Sequence, residues 1–471
     1  MRYPLIWLSL LLSLHAEEKS AAPNFIVILG EAQGWASLSI PLDDRNVAGS
    51  SSSFIQTPNL DSIGKSGMRF SDFYASAPRC TPSRAALFTG RSPTQLKMTF
   101  VGEGKNDGQV NPGDKVIPPS MVTELPTNIE TIATILRKKG YATAHFGKWH
   151  LGKVDPKEHG FDESDGANSN GGPDNVENPN PKQCGLTAKQ GCDFISRQVQ
   201  AKRPFYLEID QYPGRQGESA SAETIAEVKK RLGDNYNAQN LNRAAGCQEI
   251  DKNIGVVLAH LKQKGIFDNT YIIYSADHGA QGANVNGVLT NGKGTIWEGG
   301  LRVPLLVSGP GIKSGAFSHT RASLVDLLPT IADLAAVKRS ELPSGLEGAS
   351  LVSVLRGQTE EPPTRARDDF IVHYTHYDKD ELGTTSAIFY KNYKMIRVYE
   401  TGKNILFDLS NDISEQHDLS AKFPEVVKDM DRRLTEYLVL QNGLLPKPNP
   451  NYTAGGVRSV DSKGNKKGKN K

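Results

Sequence analysis

The sequence predicts an α/β fold in which a mostly parallel sheet is sandwiched by helices, followed by a smaller C-terminal α+β subdomain. Two continuous apolar runs rich in β-branched residues, 24–30 and 269–277, are typical of strands covered on both faces. Strand and helix patterns alternate over roughly 300 residues, which favours parallel pairing. After residues 356–369 the pattern changes to short alternating strands. These observations together define the predicted fold class.

The elements of the larger part are predicted from their own periodicity. Residues 128–140 place isoleucine and leucine at helical spacing and end at a glycine, which predicts an amphipathic helix. Residues 203–210 and 302–311 are further apolar runs that predict strands. The Gly- and Asn-rich segment 166–182 predicts a loop that could frame a cleft.

The C-terminal part has a different pattern. Residues 387–400 and 404–410 alternate as antiparallel strands do, and a helix is predicted from residue 424 to 438. One face of that helix carries Val427, Met430, Leu434 and Leu438. We therefore expect a small antiparallel sheet that packs against a helix. The predicted boundaries are a large domain at 23–360, a C-terminal subdomain at 366–445 and an extended basic tail at 446–471.

The first residues, MRYPLIWLSLLLSLHA, combine a positive residue, a short apolar run and a small residue at position 16. This pattern predicts a signal peptide at residues 1–16, with cleavage possible up to residue 22. The apolar run is too short to cross a bilayer, so no membrane span is predicted. We expect an exported protein, periplasmic or secreted. A net charge of +3 in 471 residues gives no reason to expect a nucleic-acid partner.

Four cysteines are too few for a disulfide scaffold. Cys184 and Cys192 are close enough in sequence to form a bridge in an oxidising compartment, and Cys247 is then expected to be a buried apolar thiol. Cys80 differs from these three. It lies in PRCTPSRAALFTG, at a predicted helix start, where free N–H groups and the helix dipole favour an anion.

The predicted helix after Cys80 has recognisable start and stop signals. Thr81 can act as the cap, Pro82 suits the first helical position, and Gly90 is a plausible stop. Arg84 adds positive potential around the thiol. A buried small hydrophobe is the ordinary role of a lone cysteine, but this setting favours chemistry.

Cys80, Pro82, Ser83 and Arg84 match the signature of the type I sulfatases, which the sequence resembles from residue 23 to about 452. This family belongs to the alkaline phosphatase-like superfamily. The resemblance implies that Cys80 is converted to formylglycine (3-oxoalanine) by a formylglycine-generating modification system during export. The hydrated aldehyde then carries the nucleophilic hydroxyl.

Further motifs extend the resemblance. In GYATAHFGKWHLG, Lys148 and His150 match residues beside the formylglycine, where the lysine balances negative charge and the histidine bonds the diol. In ADHG, Asp277 and His278 match metal ligands. Lys293, in NGKGTIWEGGLRVP, matches the lysine that holds the sulfate and can protonate the leaving oxygen.

A metal site is also predicted from the strand ends. Glu31 and Asp277 each follow an apolar strand, and open α/β sheets place ligand sites at the carboxyl ends of their strands. The expected ligand set is Glu31, Cys80, Asp277 and His278. Oxygen-rich ligands favour Ca²⁺, with Mg²⁺ as the smaller alternative and zinc less suited.

Two positions depart from the family pattern. Ala32 stands where the family has a second aspartate; Glu31 could compensate as a bidentate ligand, or Asp43 or Asp44 could complete the shell, although these two could equally cap a loop. The family's substrate-contacting histidine after the 203–210 strand is also missing. Gln211 or Arg215 occupies that region.

Two histidines of the subdomain, His373 and His376, could reach the cleft or could be structural. The resemblance implies an exported sulfatase that hydrolyses sulfate esters, with a sulfated saccharide as the expected substrate. One alternative is a formylglycine-dependent phosphonate or phosphodiester hydrolase. Another is a degenerate relative that binds sulfated glycans without turnover, which Ala32 and the missing histidine would fit.

Overall fold

A computed structural model describes residues 22–45, 47, 49–102, 110–170, 183–212, 220–233, 236–281 and 285–462. The strands are β1 (Asn24–Gly30), β2 (Met68–Phe70), β3 (Phe73–Tyr74), β4 (Val116–Ile117), β5 (Ala142–Gly147), β6 (Glu163–Ser164), β7 (Phe205–Asp210), β8 (Thr270–Ala276), β9 (Leu305–Ser308), β10 (Ala316–Ser318), β11 (Ala322–Ser323), β12 (Phe370–Tyr374), β13 (Thr385–Tyr390), β14 (Tyr393–Val398), β15 (Lys403–Asp408) and β16 (Lys447–Pro448).

Helices connect most of these strands. They are α1 (Pro58–Ser66), α2 (Cys80–Thr89), α3 (Pro93–Leu96), α4 (Ile132–Lys138), α5 (Cys184–Ala201), α6 (Ala222–Leu232), α7 (Ala238–Gln263), α8 (Glu298–Leu301), α9 (Leu327–Leu334), α10 (Val352–Leu355), α11 (Pro424–Leu440) and α12 (Ser459–Ser462).

The central sheet has eight strands in the order β10-β2-β9-β8-β1-β7-β5-β6. β1 pairs in parallel with both β7 and β8, and β5 is parallel to β7 and β6. Only β9 runs against its neighbours β8 and β2. The sheet is thus mostly parallel, as predicted, and the β1, β5, β7 and β8 carboxyl ends meet at one edge.

Helices cover both faces of this sheet, and the side chains of β1 alternate between the two faces. Phe25, Val27 and Leu29 pack in a cluster with residues of α2, α4 and α9. Ile26 and Ile28 point the opposite way, into a cluster with residues of α1, α5 and α7. A strand buried on both faces needs apolar residues at every position, which explains the continuous run in the sequence.

The C-terminal subdomain is a four-stranded antiparallel sheet, β12-β13-β14-β15, with α11 packed against it. Met430, Leu434 and Leu438 of α11 are buried in a cluster with strand residues such as Ile388 and Met395. Val427 is partly buried against the same cluster. The predicted sheet, helix and helix face are therefore confirmed.

The chain after this subdomain returns to the larger part. β16 pairs with β4, and the backbone N–H of Gly113 donates to the Val457 carbonyl at 3.0 Å. The predicted signal peptide lies outside the described residues. Among the described residues, no helix is both long and apolar enough to cross a membrane.

The predicted disulfide between Cys184 and Cys192 is wrong. Both cysteines lie on α5 and both are free thiols, as are Cys80 and Cys247. Eight residues of helix separate their backbones by about 12 Å, which is well beyond the reach of a disulfide. Cys247 is buried, as expected.

Candidate active site

Four neighbouring strands deliver charged side chains to one edge of the central sheet. Glu31 follows β1 and Asp277 follows β8, and the last residues of these two strands are paired in register. Asp210 is the last residue of β7, and Lys148 follows β5. All four side chains are buried. The parallel topology therefore assembles the site from segments far apart in the sequence.

Cys80 is the first residue of α2, so it lies at the N-terminal end of that helix, as predicted. Gly90 ends the helix with a left-handed φ of 63°. The prediction of Thr81 as the cap is wrong, because the helix begins two residues earlier than predicted, at Cys80. Arg79 holds the cap position without a side-chain cap bond, while the Thr81 hydroxyl donates to the carbonyl of His150 at 3.0 Å.

The Cys80 thiol lies among the predicted partners. Its Sγ is 3.2 Å from Nε2 of His278, 3.4 Å from Oε1 of Glu31 and 3.8 Å from Nζ of Lys293. Cys80 is 2 % exposed. Any reaction at the side chain of residue 80 therefore takes place among these charged groups.

Glu31 is the central anion of this cluster. Lys148 Nζ lies 2.6 Å from its Oε2, and Lys293 Nζ lies 2.9 Å from its Oε1. Burial favours the neutral acid, but the two ammonium groups hold the pKa of Glu31 well below its ordinary value. Glu31 is thus an ionised carboxylate. The Lys293 side chain alone keeps 17 % of its surface exposed, so it faces the entrance.

Arg84 links the carboxyl ends of three strands of the central sheet. Its guanidinium contacts Asp210 Oδ2 at 2.5 Å and Asp277 Oδ2 at 3.3 Å, and it donates to the Lys148 carbonyl at 2.5 Å. Burial disfavours the charged form, but Asp210 and Asp277 raise the pKa of Arg84. This permanent cation fixes the relative positions of three strand ends.

The buried charges act on the thiol and on Asp277 in opposite directions. Burial raises the pKa of the Cys80 thiol, but the charges of Lys148 and Lys293 lower it by more. The pKa of Cys80 therefore lies well below its ordinary value. Burial, aided by the charge of Glu31, raises the pKa of Asp277 to about 7. The surroundings favour a negative charge at position 80.

The residues predicted as metal ligands fit one divalent ion. Ligand atoms bound to the same ion at about 2.0–2.6 Å cannot lie more than about 5 Å apart. Donor atoms of Glu31, Cys80, Asp277 and His278 all lie within 4.8 Å of one another. His278 Nδ1 is 3.0 Å from the Gly279 carbonyl, so Nδ1 carries the proton and the Nε2 lone pair faces the cluster.

Asp43 and Asp44 do not complete this ligand set. Asp43 Oδ1 accepts from the backbone N–H of Arg45 at 2.7 Å, which is the loop-capping role considered above. Asp44 pairs with Nε2 of His319 at 2.8 Å. At position 32, the Ala32 backbone N–H donates to Asp277 Oδ1 at 3.1 Å.

The remaining predicted residues have different outcomes. His150 is buried beside α2, where its carbonyl accepts from Thr81. Gln211 follows β7 and is 2 % exposed; its side-chain carbonyl has no hydrogen-bond partner among the described residues. Arg215 and residues 171–182 of the predicted loop lie outside the described residues.

The two subdomain histidines do not reach Cys80. His373 contacts Ser386 Oγ at 2.7 Å and the Leu444 carbonyl at 2.9 Å. His376 Nε2 lies 2.8 Å from Thr99 Oγ1. His373 is therefore structural, which was the second of the two interpretations.

The sequence reasoning missed Asp210 and the pair formed by Arg79 and Asp378. Asp210 is the last residue of an apolar strand and pairs in register with Leu29, so the rule that points to the carboxyl ends of strands could also have found it. Arg79 forms a two-pronged ion pair with Asp378 of the subdomain. No local signal connects these two residues, which are 299 positions apart.

Comparisons with known proteins agree with this geometry. The family model described as Sulfatase matches residues 23–337, and the model described as N-sulphoglucosamine sulphohydrolase, C-terminal, matches residues 291–439. The chain is 32% identical to N-acetylgalactosamine-6-sulfatase of Canis lupus familiaris over 75% of this chain and 70% of the relative. It is 30% identical to arylsulfatase A of Homo sapiens over 89% of each.

Solved structures share the fold of this chain. The crystal structure of Ps i-CgsB superposes with a TM-score of 0.71 at 26% identity, covering 88% of this chain and 92% of that chain. A structure of Ps i-CgsB in complex with k-i-k-neocarrahexaose superposes with a TM-score of 0.69, at the same identity and coverage.

Proposed function

Because the chain belongs to the sulfatase family, whose members hydrolyse sulfuric esters, we propose that it is an exported, formylglycine-dependent sulfatase acting on a sulfated carbohydrate. The observation that carries the proposal is the position of Cys80. Its thiol lies at a helix N-terminus between an ionised Glu31, two lysines and His278.

The nucleophile is proposed to arise by modification of Cys80. An external modification system supplies a two-electron oxidant, Cβ becomes an aldehyde carbon, and the sulfur leaves. When hydrated, the aldehyde supplies two geminal hydroxyls: one forms a bond to sulfur as the ester S–O bond breaks, and proton loss from the other restores the aldehyde and releases sulfate.

The chain's own cations stabilise the negative charge of this reaction. Lys148 and Lys293 flank the reacting position, and Lys293 faces the entrance, where it can hold a sulfate oxygen and protonate the leaving alcohol. Arg84 holds Asp210 and Asp277 in place beneath it. His150 is proposed to hydrogen-bond the diol. Their burial strengthens each interaction, because little water screens the charges.

Glu31, Asp277, His278 and the modified residue 80 are proposed to hold a divalent cation. When bound, the cation would offset the charge of the sulfate and the nucleophile. Ca²⁺ is the expected ion and Mg²⁺ the alternative. Glu31→Gln should reduce the metal content of purified protein. Metal analysis after dialysis against chelator measures this directly, and unchanged content in the variant would remove Glu31 from the ligand set.

The sulfated-carbohydrate part rests on similarity to proteins whose names and titles indicate sugars, N-acetylgalactosamine-6-sulfatase and Ps i-CgsB with k-i-k-neocarrahexaose. Export, to the periplasm or outside the cell, rests on the pattern of residues 1–16.

The experiment is a desulfation screen of aldehyde-bearing protein against a panel of sulfated saccharides, with phosphonate and phosphodiester substrates included. Cys80→Ala is the control, because it cannot be converted. We expect sulfate release by the wild type and none by the variant. Faster turnover of a phosphodiester would favour the alternative hydrolase. Binding of sulfated saccharides without any turnover would contradict the enzymatic proposal and favour a binding protein.

A further inference from the structure

A loop of the larger part and a loop of the C-terminal subdomain meet beside the reaction centre. The first, residues 293–297, begins with Lys293 and directly precedes α8. The second, residues 378–380, lies between β12 and β13. We call them the lysine loop and the docking loop. Their contacts bear on where the backbone of Lys293 lies.

The docking loop is hydrogen-bonded to the lysine loop at three positions. The backbone N–H of Lys379 donates to the Gly294 carbonyl at 3.4 Å. Asp380 Oδ2 accepts from the backbone N–H of Ile296 at 3.0 Å, and its Oδ1 accepts from Nε1 of Trp297 at 3.3 Å. These bonds join the lysine loop to the subdomain along most of its length.

Asp378, the first residue of the docking loop, reaches the residue next to Cys80. Its carboxylate forms the two-pronged ion pair with Arg79 and also accepts from the Tyr374 hydroxyl at 2.8 Å. The Asp378 side chain is 1 % exposed and that of Arg79 is 17 % exposed. Because Arg79 directly precedes Cys80, this ion pair connects the subdomain to the segment that carries residue 80.

Gly294 brings the lysine loop against the same ion pair. Its φ of 85° lies in the left-handed region that favours glycine, and a Cβ at this position would lie 2.5 Å from Asp378 Oδ2 and 3.4 Å from Arg79 Nη2. Its backbone N–H donates to the Pro78 carbonyl at 3.0 Å. The close approach leaves no room for a side chain, so the position of the Asp378 carboxylate sets how near the lysine loop comes to residue 80.

The position of this backbone matters for the Lys293 ammonium group. The Lys293 Nζ lies 2.9 Å from Glu31 Oε1 and 3.8 Å from Cys80 Sγ, and its backbone N–H donates to the Ala280 carbonyl at 3.1 Å. A lysine side chain is a flexible four-carbon chain, so a fixed backbone is what limits the places its ammonium can reach. A displacement of about 1 Å from the productive geometry can cost on the order of 100-fold in rate.

We propose that Asp378 is a positioning residue for the reaction. Through Arg79 and Gly294, it sets the distance between Lys293 and residue 80. The C-terminal subdomain therefore takes part in the reaction through a lysine of the larger part. This inference deepens the proposed function and rests on it for its kinetic consequence.

A double-mutant cycle distinguishes positioning from a purely structural role. We would measure kcat/KM for Asp378→Asn, for Lys293→Ala and for the double variant, with a sulfated sugar that the wild type desulfates. Asp378→Asn should lower kcat/KM about tenfold in the wild-type background and less than about twofold in the Lys293→Ala background, because residues that act as a unit are not additive. The same loss in both backgrounds, or no loss in either, would overturn the proposal.

Asp326→Asn is the matched control. Asp326 pairs with Arg365 at 2.6 Å, and the two side chains are 0 % and 19 % exposed, close to the values for Asp378 and Arg79. Among the described residues, Asp326 forms no hydrogen bond or ion pair with either loop. Both Asn variants should lose stability in chemical denaturation, but only Asp378→Asn should lose kcat/KM. A tenfold fall in the control as well would mean that general loosening, and not positioning, slows the reaction.

A milder variant keeps the cycle informative if Asp378→Asn does not fold. Tyr374→Phe removes only the hydroxyl that donates to Asp378 and leaves the ion pair with Arg79 in place. It should lower kcat/KM in the same direction by a smaller factor, and this loss should also disappear in the Lys293→Ala background. Equal losses in the two backgrounds would again overturn the proposal.

Chemical modification of Lys293 separates this inference from the proposed function. Brief treatment with acetic anhydride, followed by peptide mass analysis, reports how fast Lys293 is acetylated, whether or not the protein turns over a substrate. Held against Glu31 and only 17 % exposed, Lys293 should react slowly in the wild type and in Asp326→Asn, and faster in Asp378→Asn. A faster reaction in a protein without sulfatase activity would refute only the proposed function. An unchanged reaction rate in an active sulfatase would refute only the positioning role.

Discussion

Two of the buried clusters of carboxylates and cations differ in how much of their side-chain surface reaches solvent. In the reaction centre, Lys293 contacts Glu31 at 2.9 Å and keeps 17 % of its side chain exposed. At the junction with the C-terminal subdomain, Lys394 contacts Glu298 at 3.1 Å and Glu415 at 2.7 Å, with no exposed surface. Burial of charge is common to both. Access to solvent and a reactive residue distinguish the functional cluster from the structural one.

Cys80→Ala should have the largest effect on function. In the proposed mechanism this side chain is the source of the nucleophile, so we expect turnover of a sulfate ester to fall by about 10⁴-fold or more. The melting temperature should change little, because the thiol is one small group among charges that keep their partners. Activity assay and thermal unfolding of the same preparation check both points. Residual activity near the wild-type level would exclude Cys80 as the nucleophile.

Lys394→Met should have the largest effect on stability. It leaves Glu415 buried without its cation, while Glu298 keeps Arg302 at 2.9 Å, and removal of one partner from a buried ion pair costs about 3–5 kcal/mol. Chemical denaturation measures this loss. The kinetic constants of the folded protein at low temperature should stay close to wild type. A loss below about 1 kcal/mol would mean that the junction cluster is not a structural counterpart of the centre.

Lys293→Ala is the matched change in the reaction centre. Unlike Lys394→Met, it should lower activity and leave stability largely unchanged. Loss of one preorganised cation should remove about 3 kcal/mol of transition-state stabilisation, on the order of 10²-fold in kcat/KM. Lys148→Ala should lower kcat/KM similarly, but it should also cost stability, because Lys148 and Glu31 are both fully buried. Folding should survive because Lys293 faces the entrance. If Lys293→Ala instead lowers stability as much as Lys394→Met, the contrast between the clusters fails.

Acid should weaken the subdomain through His373, the smallest of these effects. Burial lowers the pKa of His373 to about 4, against an ordinary value of about 6.5. Its contribution to stability is therefore present above pH 6.5 and lost as the pH falls towards 4, by about 3 kcal/mol at most. His373→Gln should flatten this part of the curve of melting temperature against pH. Parallel curves for the two proteins would contradict the assignment.

The regular elements could be predicted from the sequence because their patterns are local. β1 matches its predicted range, and α11 begins at the predicted residue and buries the predicted Met430, Leu434 and Leu438. The positions of Glu31 and Asp277 in the site could also be predicted, since a residue that follows a buried parallel strand is fixed in space by the sheet.

What could not be predicted depends on contacts between distant segments. The two lysines on Glu31 come from loops more than 100 residues away, and Asp378 meets Arg79 from another subdomain. The Cys184–Cys192 error has the same origin, because a spacing of eight residues suits either a disulfide loop or two turns of helix. Spacing alone does not decide between them.

The most direct test of the proposed mechanism is mass analysis of the peptide that contains residue 80, taken from protein with measured sulfatase activity. The account predicts an aldehyde at position 80, with the sulfur lost and one oxygen gained, and an aldehyde fraction that scales with specific activity across preparations. Full activity in protein whose residue 80 is entirely unmodified cysteine would contradict it.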